Sequence, residues 1–329
     1  MADDKRIITY CEALREAMNE EMRKDEKVYL MGEDIGAYCG CFGVSKGMLE
    51  EFGPERVRET PISETAFVGA AVGSAMMGYR PIVEIMFSDF ASVCFDQIIN
   101  QAAKIHYMFA GKNKVPMVLR TPQGGGTGAA AQHSQCLEAM YAHVPGLKVV
   151  VPFDAYDAKG LLKTAIRDDN PVIFLETKLL YKTKCEVPQE EYYIPFGEAK
   201  CRRSGKDVTL VTWGRTVQMC LDVAKKLEDE GIDAEVLDMR TLVPFDDNAV
   251  IESVKKTHRL VIVHEAVKTG GFGAEVASRI CDSEAFFYLD APIKRVGALD
   301  CPIPFSPILE SEVLPNTGRI EKAIREVLC

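Results

Sequence analysis

The chain has 329 residues, enough for two domains of ordinary size. Its 47% hydrophobic and 27% charged residues are those of a soluble globular protein. No apolar run approaches the roughly 20 residues a membrane helix needs, and a formal net charge of -10 argues against nucleic acid as a partner.

The opening MADDKRIITY is charged and lacks the apolar core of a secretory signal. The eleven Cys are scattered and odd in number, with only Cys39 and Cys41 close together. The expectation is a cytoplasmic chain with reduced thiols. Thr9 and Glu12 form a capping-box pattern at the head of YCEALREAMNEEMRK, where Leu14, Ala17, Met18 and Met22 recur at helical spacing. A helix is therefore predicted there, followed by a buried strand at VYLMGED and a Gly-rich loop around GAYCGCFG. In ETPISETAFVGAAVGSAMMG, residues 59–78, Thr60, Pro61 and Ser63 are turn and helix-start residues. The small residues after them predict a helix that another backbone approaches closely. Glu64 falls in its first turn, where an acid also complements the helix dipole.

RPIVEIMF is then a strand, CFDQIINQAAKIHYMF a helix, VPMVLRT and GLKVVVP strands, DAKGLLKTAIRD a helix and NPVIFLE a strand. Apolar strands alternating with helices predict a parallel sheet covered on both faces. From Lys182 to about Gly205 the chain is polar and broken by Pro, which reads as a linker around a sheet edge. A smaller α/β unit follows, with strands DVTLVTWG, AEVLDMR, RLVIVHEA and IKRVG and helices VQMCLDVAKKLEDEG, DDNAVIESVKKT and GAEVASRICD. The predicted organisation is an α/β fold of two parallel or mostly parallel sheet domains, 1–185 and 205–329, joined by a linker over 186–204.

GGGTG at 124–128 has no Lys-Ser or Lys-Thr after it, so it is not a phosphate-loop motif. Its glycines are read as letting backbone approach a ligand or a neighbouring chain. GGFGAEVAS lacks the third glycine of a nucleotide fingerprint, Val276 standing there, and is read as a helix-start turn. None of the five His has ligand spacing to another. His133, in AAAQHSQ after the Gly-rich loop, is either a satisfied structural residue or a polar group facing a cleft.

Taken together, EKVYLMGEDIGAYCGCFGVSKGM, RETPISETAFVGAAVG, RPIVEIMFSDF, FDQIINQAAK, AAAQHSQ, PGLKVVVP, DAKGLLKTAIRDDNPVIFLE and LDAPIKRVGALDCPIPFSP resemble one family in order along the chain. That family is the beta subunit of the thiamine-diphosphate-dependent first component of 2-oxoacid dehydrogenase complexes, in its acetoin and pyruvate branch. The resemblance implies a pyrimidine-binding domain followed by a transketolase C-terminal-like domain. It makes Glu64 the carboxyl that hydrogen-bonds the pyrimidine of thiamine diphosphate and favours its imino tautomer, which deprotonates the thiazolium carbon. Physically this requires a dry pocket that raises the carboxyl pKa. Met86 and Phe90 match positions that pack on the aminopyrimidine, with Ile62 beside them; ordinary core is the alternative reading. His133 matches a His that orients substrate or lipoyl group and assists proton transfer. Met117, Ala165, Ile166, Asp168 and Asn170 match a potassium site built mainly from backbone carbonyls.

The family's diphosphate and magnesium motif, Gly-Asp-Gly with a later Asn, is absent; GED at 32–34 is the nearest string. The resemblance therefore implies an alpha subunit that carries the motif and holds magnesium, in an assembly with a second beta chain and a lipoyl-bearing acyltransferase. The implied reaction forms a hydroxyethyl-cofactor adduct from acetoin or pyruvate and reductively acetylates a lipoyl group. Two rivals stand beside it: the C-terminal half of a split transketolase-like enzyme, and a non-catalytic assembly subunit.

Overall fold

The computed structural model describes residues 6–329. They form two compact units, the first made of residues up to Gln123 and Met140–Phe196, the second of Gly124–Ala139 and Gly197–Cys329. Among the described residues, no helix is long and apolar enough to cross a membrane.

In chain order the first part comprises β1 (Ile7–Thr9), α1 (Tyr10–Lys24), β2 (Val28–Gly32), α2 (Met48–Phe52), β3 (Val57–Glu59), α3 (Glu64–Met76) and β4 (Arg80–Glu84). It continues with α4 (Ala103–Met108), β5 (Val118–Gln123), α5 (Glu138–Ala142), β6 (Lys148–Val150), α6 (Ala155–Arg167), β7 (Val172–Thr177) and β8 (Lys184–Glu186). Strands β6-β7-β5-β4-β2-β3 lie side by side and all run parallel. The capping box at α1 is present: Thr9 Oγ1 accepts from the Glu12 amide at 3.1 Å, and Glu12 Oε2 accepts from the Thr9 amide at 2.7 Å. The α1 face of Ala13, Leu14, Ala17 and Met18 is buried in the core. On its other flank α1 offers Glu16 and Glu20 to Lys159 and Lys163 of α6, which are buried and paired at 2.6 to 3.1 Å.

Two stretches depart from the sequence expectation. The single helix read over 94–109 changes pitch: a π stretch Gln97–Ala102 runs into α4, and a 3₁₀ stretch Ser88–Cys94 precedes them. The π stretch meets α3, where a Cβ added to Gly69 would lie 3.4 Å from Cγ of Gln97. The region read as linker holds strand structure. β8 pairs antiparallel with β1, and the charged KCRR segment forms a further strand. Its charges suit an exposed edge and mask the strand signal.

The second part comprises β9 (Lys200–Arg203), β10 (Val208–Thr212), α7 (Thr216–Glu228), β11 (Ala234–Asp238), β12 (Thr241–Val243), α8 (Asp247–Thr257) and β13 (Leu260–Val267). After these come α9 (Phe272–Cys281), β14 (Lys294–Ala298), α10 (Pro307–Val313) and α11 (Thr317–Leu328). Its sheet has the order β14-β13-β10-β11-β9, parallel except for β9 against β11. GGFGAEVAS opens α9 with Gly271 as N-cap. A Cβ on Gly273 would lie 2.6 Å from the buried ring of His264, so close packing explains that glycine. α11 adds to the expected elements: Asn316 caps it at 3.0 Å, and Ile320, Ala323, Ile324 and Val327 form its buried stripe.

An ion cluster fixes the middle of the first sheet. Arg120 of β5, 1% exposed, donates to Glu84 of β4 at 2.8 Å and bidentately to Glu176 of β7 at 2.7 and 2.9 Å. Tyr181 donates to the same Glu176 at 2.6 Å. Arg120→Met leaves two buried carboxylates without their cation, and removing one partner of such a group costs about 3 to 5 kcal/mol. Urea denaturation of the variant is expected to read that loss; a change under about 1 kcal/mol, the value of an exposed pair, would contradict it.

Candidate active site

In open parallel sheets, ligands gather outside the carboxyl ends of the strands. At that end of β2, β3 and β4 the chain places three loops. The first begins at Glu33 directly after β2, the second is Thr60–Ser63 leading from β3 into α3, and the third is Ile85–Phe90 after β4. The loops are pinned to the strands: Thr60 N donates to Gly32 O at 2.9 Å and Ile85 N to Arg120 O at 3.0 Å. Thr65 Oγ1 donates to the Val93 carbonyl at 2.6 Å, which ties the start of α3 to the 3₁₀ stretch after β4.

Glu64 is the first residue of α3 and is 7% exposed. Glu33, 4% exposed, accepts a hydrogen bond from the backbone of Ser63 and feels the charge of Glu64. Burial first, and then that neighbouring carboxylate, push the Glu33 carboxyl up to about 7. Its Oε1 is buried with no hydrogen-bond partner. The Cys94 thiol is pushed up to about 12, again by burial and then by Glu64. A carboxyl held near neutrality beside a second buried carboxyl can keep and exchange one proton within the physiological range. Sequence reading did not single out Glu33. Its signal was an acid at the carboxyl end of a buried strand, in the string GED.

The other expected residues of this unit lie on the same loops. Met86 and Phe90 are half-buried, and Ile62 is 81% exposed just ahead of α3. Phe90 meets Phe87 edge-on at 5.8 Å, Phe87 meets Phe42 at 6.0 Å, and Phe42 stacks on Tyr181 at 4.7 Å. An aromatic ladder thus supports one side of the loop. The outward face of α3 carries Ala66, Ala70 and Gly73, all exposed, and a Cβ on Gly73 would meet nothing within 4 Å.

His133 belongs to the second unit, half-buried in the loop 124–139. In that loop the amides of Gly125, Gly126 and Gly128 already have acceptors. These are Glu265 and Glu310 of the same unit.

The carbonyl cluster expected for potassium surrounds the end of α6. Arg80 Nη1 donates to the carbonyls of Ile166 and Asp168 at 3.1 and 3.0 Å. The Ala165 and Met117 carbonyls accept from Asp168 N and Val172 N. The Asp168 carboxylate pairs with Lys148 and accepts from Asn170 Nδ2 at 2.9 Å. Each carbonyl keeps a second lone pair, and the Arg80 guanidinium already lies on two of them. Among the described residues, no group of three or more His, Cys, Asp or Glu is placed to hold a metal ion.

Comparison with known proteins agrees with this architecture. The family described as "Transketolase, pyrimidine binding domain" matches residues 6–184, and "Transketolase, C-terminal domain" matches 197–320. The chain is 52% identical over 320 residues to "Pyruvate dehydrogenase E1 component subunit beta" of Rickettsia felis, covering 97% of this chain and 98% of that one. It is 48% identical over 335 residues to "Acetoin:2,6-dichlorophenolindophenol oxidoreductase subunit beta" of Bacillus subtilis, covering 98% of each. Among solved structures, "Split gene transketolase, inactive beta4 tetramer" aligns over 98% of each chain with a TM-score of 0.81 and 26% identity. The chain belongs to the family of dehydrogenase beta subunits built from a transketolase pyrimidine-binding domain and a transketolase C-terminal domain.

The raised Glu33 carboxyl has a consequence for stability. Its folded value near 7 lies above the ordinary glutamate value of 4.5, so the folded chain binds the proton more tightly than the unfolded one. The cost of ionising it is fully present above pH 7 and vanishes as pH falls through 4.5. Glu33→Gln is therefore expected to stabilise the chain by about 1 to 3 kcal/mol at pH 8 and to have no effect near pH 4. Urea midpoints across that range test this, and a stability gain that does not vary with pH would contradict the assignment.

Proposed function

We propose that this chain is the beta subunit of a thiamine-diphosphate-dependent dehydrogenase component acting on acetoin or pyruvate and acetylating a lipoyl group. The observation that carries the reading is the pair of buried carboxyls, Glu33 and Glu64, at the carboxyl ends of a parallel sheet, one with an unpartnered oxygen. Such a site fits a heteroaromatic ring bearing both donors and acceptors. When bound, thiamine diphosphate supplies a thiazolium carbon that serves as nucleophile toward the substrate carbonyl.

This chain's own part is to hold the pyrimidine end and to manage a proton. Glu64 is the carboxyl assigned to the ring, and Met86, Phe90 and Ile62 offer apolar surface that keeps water from it. Glu33 keeps the neighbouring charge low by holding its own proton near neutral pH. The work of His133 is to orient the acceptor group and to assist proton transfer. The diphosphate and magnesium fall to an alpha subunit, because the Gly-Asp-Gly motif is missing from this sequence. A second copy of this chain and a lipoyl-bearing acyltransferase complete the assembly, and the carbonyls of Met117, Ala165, Ile166, Asp168 and Asn170 are assigned to potassium. Eleven free thiols suit a reducing compartment, and the assembly is assigned to the cytoplasm on that ground.

A split transketolase is the second reading, favoured by the fold of the solved neighbour. The higher identity to dehydrogenase beta subunits favours the first. The acceptor separates them: a lipoyl group in one case, an aldose in the other.

Glu64→Gln, assayed with an alpha subunit, tests the reading. Gln keeps the size but cannot share a proton, so turnover is expected to fall by about 100-fold or more while assembly and melting temperature hold. If Glu64 only complements the helix dipole, the change removes at most about 1 kcal/mol of stability and leaves the rate intact. Near-normal turnover in the assembled variant would falsify the assignment.

A further inference from the structure

We infer that the second unit holds a binding site of its own, for a small, neutral, largely apolar molecule that carries one hydrogen-bonding group. Its walls come from the segment 131–137, the ends of β13 and β14, and the loop that follows β14. Together they enclose a cavity of about 690 Å³, within the range of roughly 300 to 1,000 Å³ usual for ligand pockets. The strand pairing makes the room. β13 and β14 pair Val263 with Val296 and next Val267 with Ala298, so His264, Glu265 and Ala266 stand opposite Gly297 alone. An irregularity of this kind bends a strand and re-aims its side chains. In a regular strand successive side chains alternate faces, yet Glu265, Ala266 and Val267 in succession line this cavity. Gly297 is needed across from them, since a Cβ there would lie 2.8 Å from the Ala266 carbonyl oxygen.

The buried part of the lining is Ser134, Ala266, Ala298, Ile303 and Leu314, while Val267, Thr269, Asp300 and Cys301 are exposed and form the mouth. The floor is thus apolar except at one point. Ser134 is 2% exposed, and its hydroxyl is buried with no hydrogen-bond partner in the chain. Buried hydroxyls are normally paired, and an unpaired one costs free energy. The missing partner comes from outside the chain, and the room is far larger than the roughly 30 Å³ of one water. The charges on the wall select against anions. Asp300 accepts from Thr269 Oγ1 at 2.7 Å and Thr269 N at 3.3 Å, which hold its carboxyl below the usual carboxylate range. Glu265, 7% exposed, is the second acid, and Arg215 pairs with it at 3.2 Å. A cationic ligand gains little here. Glu265 already has its counter-charge, Asp300 stands at the wet mouth, and a charge carried onto the apolar floor loses its hydration. What fits is a neutral molecule with an apolar body and one donor or acceptor for Ser134.

The probe is the dye phenyl-naphthylamine, a neutral aromatic amine with one N–H. Its matched control is anilinonaphthalene sulfonate, the same skeleton with an anionic group. Both are titrated by fluorescence into the full chain, alone and assembled with an alpha subunit. A single neutral probe is expected to bind per chain in both samples, and the sulfonate to bind about tenfold or more weakly. Val267→Trp obstructs the exposed mouth and is expected to weaken the neutral probe about tenfold or more. Ser134→Ala is expected to weaken it about fivefold, the worth of one typical hydrogen bond. The melting temperature of the free Ser134→Ala chain is expected to hold or rise, because the hydroxyl has no partner to lose. Equal binding of the two dyes overturns the inference, as does binding of the neutral dye that is unchanged in either variant. A lower melting temperature of Ser134→Ala overturns it too, since the hydroxyl is then satisfied inside the chain. Loss of the neutral dye on adding the alpha subunit also overturns it, because a partner chain then covers the cavity.

Discussion

One buried carboxyl that is costly to ionise beside a second one organises this site. Glu33 is removed from water next to the buried Glu64, and burial and that neighbouring charge raise its carboxyl to about 7, so it keeps its proton to higher pH than an exposed acid does. The strands β2 and β4 pair in parallel, which delivers the loops to one end of the sheet. α3 begins at Glu64 itself, with its opening turn tied down by Thr65.

The same unit carries charge deliberately elsewhere, and the contrast is instructive. Arg120 is fully compensated by Glu84 and Glu176, and Lys159 and Lys163 by glutamates of α1. Burying an ion is tolerable when its partners are in place, and costly when they are not. Glu33 keeps a buried oxygen without a hydrogen bond beside a like charge. A perturbed, unsatisfied buried acid of this kind is the pattern that functional sites concentrate. In the second unit the opposite solution appears, since the amide nest of the Gly-rich loop is satisfied by the chain's own carboxylates.

Much of the fold was legible because its strands are buried on both faces and its helices are amphipathic or made of small residues. The alternation over 28–177 therefore reads directly as a parallel sheet. What escaped was polar or non-local. The β9 strand KCRR is a charged edge, the π stretch Gln97–Ala102 has no sequence signature distinct from a helix, and α11 lies beyond the last expected strand. In the site, Glu64 was legible from its position at a helix start and from the resemblance. Glu33 was not, because its importance comes from the neighbour 31 positions later in the sequence that the sheet brings beside it. The Gly-rich loop was legible as needing close approach, but only the coordinates identify the approaching groups as Glu265 and Glu310.

The central claim is that this chain holds the proton-managing half of a cofactor site and lacks the half that grips the diphosphate. Calorimetric titration of thiamine diphosphate with magnesium addresses it directly, first into the purified chain and then into the chain mixed with an alpha subunit bearing the Gly-Asp-Gly motif. The expected result is little binding to the chain alone and saturable, magnesium-dependent binding to the mixture. Tight, magnesium-dependent binding to the isolated chain would contradict the account.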